Sequence, residues 1–217
     1  MTGAPRRQLV LVPGFLSPRW LMKPMDRFLR SRLASVEVWD HPHILKQPRA
    51  VADLLADHLT GLCKRFDEVT LVTHSFGDWV ARRALLRSIS DNQAAGRITK
   101  FCSICPVVTS VPIAALGEPV FRHWIPELSV LANSDAASIN LELPASIDRM
   151  TIWARWDWWI RTVDDSRSNH ITVNGTHNSV LLQRNLWNQV LRFIGSPELS
   201  NSAPEVWGLP TVVDSHS

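Results

Sequence analysis

Short apolar runs alternate with amphipathic stretches along most of the chain. Gln8-Leu-Val-Leu-Val12 is compact and apolar and closes on the Pro13-Gly14 turn signal, which predicts a buried strand. Met25, Phe28, Leu29 and Leu33 then recur at helical spacing behind Pro24, a residue suited to the first turn of a helix. Val36-Glu-Val-Trp39 predicts a second strand, and Pro48 opens a helix with Val51, Leu54, Leu55, Leu59 and Leu62 on one face. Glu68–Thr73 predicts a third strand, followed by a helix through Val80, Ala81, Ala84, Leu85 and Leu86. Ile98–Cys105, Met150–Ala154 and His170–Val173 complete six strands, and a last helix runs from about Asn178 to Phe193.

Strands that alternate with helices, rather than coming in blocks, predict an α/β fold: a mostly parallel six-stranded sheet with helices on both faces. Between Pro106 and Ile147 the pattern loosens into proline-rich, weakly periodic sequence, which suits a small insertion. Residues 196–217 are rich in Ser and Pro and are expected to form a loosely held tail. One domain over residues 1–195 follows, with 106–147 as a possible cap.

Composition narrows the function. Lys and Arg outnumber Asp and Glu by 23 to 20, but the Arg residues are scattered, so no basic stripe for nucleic acid exists. No apolar run reaches the roughly 20 residues a membrane helix needs, so stable membrane insertion is not expected. The N-terminus imitates a signal peptide, yet Pro13-Gly14 cuts its apolar stretch; a cytoplasmic location is expected. Cys102-Ser-Ile-Cys105 has half-zinc or redox spacing, but it falls on a strand and lacks a second ligand pair, so the cysteines read as small buried thiols. No metal or organic cofactor is expected. Ten Trp, seven Phe and no Tyr make an unusual aromatic set.

Candidate chemistry gathers at the C-terminal ends of predicted strands, where open α/β sheets place ligands. In Thr73-His-Ser-Phe-Gly77 a strand runs through a tight turn straight into a helix, which exposes Ser75 at the apex. A serine there can also be a helix N-cap. Two further strand ends bear on the choice. Asp157 lies three residues beyond Ala154, and His177 four beyond Val173. A serine hydroxyl needs a base to take its proton, and the base needs a carboxylate to hold its tautomer. With all three types on separate strand-end loops in the order Ser, Asp, His, the nucleophile reading of Ser75 prevails.

Each role has rivals. Asp164 and Asp165 lie further along the Asp157 loop and read as solvated or capping carboxylates. His74 adjoins Ser75, but neighbours at an elbow point apart, so it reads as a packed residue beside the site. His170 begins a strand, His216 lies in the tail, and His41 and His43 read as surface loop. An oxyanion needs two aimed amide donors. The N–H of Phe76 and, through the close approach that Gly14 allows, the N–H of Phe15 are the candidates.

With these residues placed, the chain resembles the small, lid-poor bacterial lipases and esterases of the α/β-hydrolase superfamily. The likeness rests on Leu9-Val-Leu-Val-Pro-Gly-Phe15, Leu71-Val-Thr-His-Ser-Phe-Gly77, Thr151-Ile-Trp-Ala-Arg-Trp-Asp157 and Gly175-Thr-His-Asn-Ser-Val-Leu181. It implies that Ser75 is the nucleophile, Asp157 the acid and His177 the base, with Phe15 and Phe76 at the oxyanion positions. The implied reaction is carboxylic ester hydrolysis through an acyl-enzyme. Two departures stand out: Pro13 where many members carry histidine, and Asp78 where glycine is common. A thioesterase or acyltransferase would share the triad, and a non-catalytic binding module would share the fold.

The tryptophans bear on substrate. Trp156 and Trp158 flank Asp157, Trp20 follows the oxyanion loop, Trp79 opens the nucleophile helix and Trp124 lies in the proline-rich stretch. They are candidate pocket residues for a small ester with an apolar acyl or alcohol group, although a core role suits Trp equally.

Overall fold

The computed structural model describes residues 4–14, 19–39, 46–90, 96–121, 123–139, 142–160 and 169–195. Six strands form one sheet: β1 (Arg7–Val12), β2 (Val36–Val38), β3 (Glu68–His74), β4 (Ile98–Ile104), β5 (Asp148–Ala154) and β6 (Asn169–Val173). Their order is β2-β1-β3-β4-β5-β6, and every neighbouring pair is parallel. Helices α1 (Lys23–Arg30), α2 (Pro48–Arg65), α3 (Phe76–Ser90), α4 (Pro112–Phe121), α5 (Leu128–Leu131), α6 (Ser134–Ser138) and α7 (Arg184–Ile194) connect or follow them.

Strand residues divide between two cores with the period of 2 that a pleated strand imposes. Val10 and Val12 point into one core with Leu55, Leu59, Val80 and Leu85 of α2 and α3. Leu9 and Leu11 point into the other with Met25, Leu29, Leu186 and Val190 of α1 and α7. Burial on both faces explains why these strands read as continuous apolar runs. On α2 the buried face includes Ala52, Ala56 and Cys63, while Leu54, expected inside, is exposed. On the helical wheel the buried residues fill one arc with Val51 at its edge, and Leu54 falls beyond that edge, off the stripe that faces α3 and the sheet.

The chain leaves β1 for β2 on one side and returns to β3 on the other. Strand order therefore reverses between β1 and β3, and the crevice beyond their C-terminal ends is the natural place for a ligand. The insertion between β4 and β5 holds α4, α5 and α6. With four and five residues, α5 and α6 are too short to display a helical period, and Pro119 interrupts α4.

The last predicted helix is two elements. A 3-10 turn, Ser179–Leu182, precedes α7, and Gln183 between them is extended. The Gln183 side chain donates to the carbonyl of Asn174, 2.6 Å away, so it braces the loop beyond β6. Among the described residues no helix is long and apolar enough to cross a membrane. The proposed tail at 196–217 lies outside the described residues.

Candidate active site

Ser75 occupies the turn between β3 and α3 with φ of 52°, a left-handed conformation that few residues without glycine's freedom adopt. Its N–H donates to the carbonyl of Ile104, and its carbonyl accepts from Asp78 N–H, at 2.9 and 3.0 Å. Two glycines let neighbouring backbone meet this elbow. A Cβ on Gly77 would stand 2.3 Å from the Pro13 carbonyl oxygen, and one on Gly14 would stand 2.8 Å from Ser75 Cβ. The turn after β1 and the elbow after β3 thus interlock backbone to backbone. Phe76 begins α3, and its ring stacks on Trp79 at 5.4 Å. Phe15 lies outside the described residues.

The loop beyond β5 carries Asp157. One carboxylate oxygen accepts the N–H groups of Trp159 and Ile160 at 3.0 and 3.1 Å, a turn closed by its own side chain. The other oxygen lies 2.6 Å from Nδ1 of His177, on the loop beyond β6. Burial by itself would raise the Asp157 pKa; the bond to His177, the histidine's charge and the two amides together hold it below the usual carboxylate range. With Nδ1 engaged, the His177 nitrogen left for proton transfer is Nε2. His177 and Ser75 both line a cavity of about 420 Å³, walled by Val107, Val111, Ala114, Phe121, Leu128 and Ile160.

His74 is fully buried beside this pair. Its Nε2 donates to the carbonyl of His177 at 3.1 Å, and the two rings lie 4.9 Å apart. Burial, then the neighbouring His177, push its pKa down to about 3, against the pull of the His177 carbonyl and Asp157. It is a neutral strut for the His177 loop. Of the other rivals, His170 is exposed at the start of β6. His41, His43, Asp164, Asp165 and His216 fall outside the described residues.

Cys105 is the neighbour that sequence reasoning passed over. It follows the last residue of β4 with φ of 46°, fully buried, its Sγ within 4.8 Å of an Asp157 oxygen and a His177 nitrogen. Burial pushes its thiol pKa up, and so does the negative charge of Asp157, so the thiol keeps its proton. The available signal was position: β4 lies between the strands that carry Ser75 and Asp157. These three side chains could offer ligand atoms to a metal ion. Asp157 and His177 bond to each other at 2.6 Å, with the protonated thiol buried beside them.

Asp78, where glycine is common, and Thr73 at the end of β3 belong to one feature. Thr73 Oγ1 and Ser103 Oγ donate to one Asp78 oxygen at 3.0 and 2.6 Å, and Arg82 Nε donates to the other at 2.7 Å. Arg82 also donates to the carbonyls of Val107, Ala137 and Ile139, which ties α3 to the β4–β5 insertion. In that insertion Glu127 is buried, and its Oε2 has no hydrogen-bond partner among the described residues. Burial pushes its pKa up to about 7, opposed by its own backbone N–H.

The proposed pocket tryptophans are placed differently from one another. Trp79 is core, and its indole donates to the carbonyl of Ala136 at 2.8 Å. Trp20, Trp124, Trp156 and Trp158 are exposed and do not wall the cavity; Trp159 does. The loop turns inward at Asp157 and Ile160, which leaves Trp156 and Trp158 outside and Trp159 at the cavity's edge.

The all-parallel six-stranded sheet, its order reversing between β1 and β3 and its helices on both faces, is an architecture shared with solved structures. The chain has the α/β-hydrolase fold. It is similar to a metagenomic carboxyl esterase (19% identity, TM-score 0.55), covering 71% of this chain and 51% of the esterase. It is similar to lipase B of Aspergillus fumigatus (16% identity, TM-score 0.57), covering 85% and 51% of the two chains. It is also similar to human thioesterase 2 (13% identity, TM-score 0.53), covering 92% and 99%. The matched region thus spans about half of the esterase and of the lipase. No family model and no curated protein sequence matches the chain.

Proposed function

We propose that this chain is a serine hydrolase that cleaves carboxylic ester bonds through an acyl-enzyme on Ser75. The observation that carries the reading is the 2.6 Å bond between His177 Nδ1 and Asp157, with His177 and Ser75 facing one apolar cavity. Asp157 fixes the tautomer, so His177 Nε2 takes the proton as Ser75 Oγ attacks the ester carbonyl. The imidazolium formed is stabilised by the Asp157 carboxylate, whose lowered pKa keeps it ionised. The carbonyl oxygen, now an oxyanion, is met by the N–H of Phe76 and, on sequence grounds alone, by that of Phe15. His177 then returns the proton to the leaving alcohol. Water, deprotonated by the same nitrogen, releases the acid and restores Ser75.

The cavity favours an apolar acyl or alcohol group, and the β4–β5 insertion, which supplies most of its wall, acts as a small cap over residues 106–147. Likeness to an esterase, a lipase and a thioesterase supports a hydrolase of acyl compounds without choosing the leaving group. The test is a series of p-nitrophenyl esters of increasing chain length on wild type and Ser75→Ala. Turnover lost by at least about 1,000-fold in the variant is expected. Turnover retained in Ser75→Ala would overturn the assignment.

A further inference from the structure

The apolar wall of the cavity does not end at its mouth. Phe121 and Trp159 both line the cavity and are 52% and 57% exposed, so they continue it onto the surface. In the chain Val120 and Trp124 neighbour Phe121, Trp156 and Trp158 neighbour Trp159, and all four are exposed. Trp124 and Trp158 are 72% and 78% exposed. The turn that carries Trp124 is closed by its N–H to the Phe121 carbonyl, and its far end, Ile125, lines the cavity again. Soluble proteins place single apolar side chains outside freely, but six exposed ones on two segments that line one cavity mark a surface that something covers.

We propose that this rim docks on a lipid surface bearing anionic headgroups, from which the substrate enters the cavity. Three features choose that occupant. The exposed residues are mostly indoles, which combine an apolar body with an N–H that stays at the wet boundary of a bilayer. In the two rim segments, Pro119–Ile125 and Arg155–Ile160, the one described carboxylate, Asp157, is turned inward onto His177, while Arg155 and His123 are exposed. Both segments also reach the cavity, through Phe121 and Ile125 on one and Trp159 and Ile160 on the other: a protein seated on them would obstruct it, whereas a lipid layer would supply it. The docking stands on the rim alone; the substrate class, an ester of an acyl chain held in that layer, rests on the hydrolase reading above.

The test uses the full chain carrying Ser75→Ala, so that turnover cannot consume the vesicles. Co-sedimentation with sucrose-loaded vesicles is measured for phosphatidylcholine alone and with about a third phosphatidylserine, the admixture expected to strengthen binding in a salt-dependent way. Trp124→Ala with Trp158→Ala should lower partitioning by at least about 10-fold. In an otherwise wild-type chain the same pair should leave turnover of a water-soluble acetate ester unchanged. Both side chains are exposed, so folding should survive; brominated-lipid quenching of tryptophan fluorescence in the chain with its rim intact gives a second readout. Absence of vesicle binding, or binding and quenching indifferent to the rim, would overturn the proposal. So would a dimer in sedimentation velocity that the tryptophan pair disrupts, since a second copy would then be the occupant. Failure of a fluorophosphonate to label folded wild type would sink the hydrolase reading while leaving vesicle binding intact, so the two failures are distinguishable.

Discussion

Replacement of Arg82 by methionine should destabilise this protein far more than an average substitution. The guanidinium and the Asp78 carboxylate are each about 1% exposed, with 2.7 Å between Nε and Oδ2. Methionine keeps much of the volume and removes the charge. Asp78 would still accept from Thr73 and Ser103, but its charge would be left buried without a cation. Breaking such a pair costs about 3–5 kcal/mol, and the carbonyls of Val107, Ala137 and Ile139 would lose donors as well. The expected loss is therefore about 4 kcal/mol, a large part of the roughly 5–15 kcal/mol that holds a domain folded. Removing both charges, in Asp78→Leu with Arg82→Met, should recover about 2 kcal/mol relative to the sum of the single changes. Urea unfolding followed by circular dichroism measures all four proteins. A loss under about 1 kcal/mol for Arg82→Met, or strict additivity, would refute the idea that a dry ion pair ties the elbow to the insertion.

Three further outcomes follow from the same geometry. Gly77→Ala should cost about 3 kcal/mol or more in urea unfolding, because its Cβ would meet the Pro13 carbonyl at 2.3 Å and backbone cannot swing aside; a neutral effect would mean the elbow and the β1 turn are not in contact. His74, with its pKa lowered from 6.5 to about 3, stays neutral when folded and protonates when unfolded, so it removes stability as pH falls below about 6.5, by up to about 1.4 kcal/mol per pH unit. Glu127, raised from 4.5 to about 7, keeps its proton when folded and loses it when unfolded, so it removes stability as pH rises from about 4.5 to about 7. The two slopes oppose each other between about pH 4.5 and 6.5. His74→Gln should thus expose stability that falls with pH, and Glu127→Gln stability that rises with pH; the same slope in both variants would contradict the two assignments.

Much of the sheet was legible because β1, β3 and β4 are buried on both faces, and such strands announce themselves as Leu9-Val-Leu-Val or Leu71-Val. The strand-end positions of Ser75, Asp157 and His177 followed from the same pattern, since loops are located once strands are. What the sequence hid depends on tertiary neighbours. Asp78 looked like a departure from a small-residue position; its reason is Arg82 one turn on and Ser103 on the next strand. Cys105 looked like one of three inert thiols, because only parallel pairing of β4 with β5 brings it to Asp157. Trp79 and Trp124 share a residue type but not a fate: one packs under α6, the other stands outside a turn. Composition alone does not separate them.

The central claim is that Ser75 is the nucleophile of this fold. Incubation of the folded chain with a fluorophosphonate, then intact mass and peptide mapping, tests it most directly. A single adduct on Ser75 is expected, lost in Ser75→Ala and strongly slowed in His177→Ala. An adduct on another residue, or labelling that persists without Ser75, would contradict it.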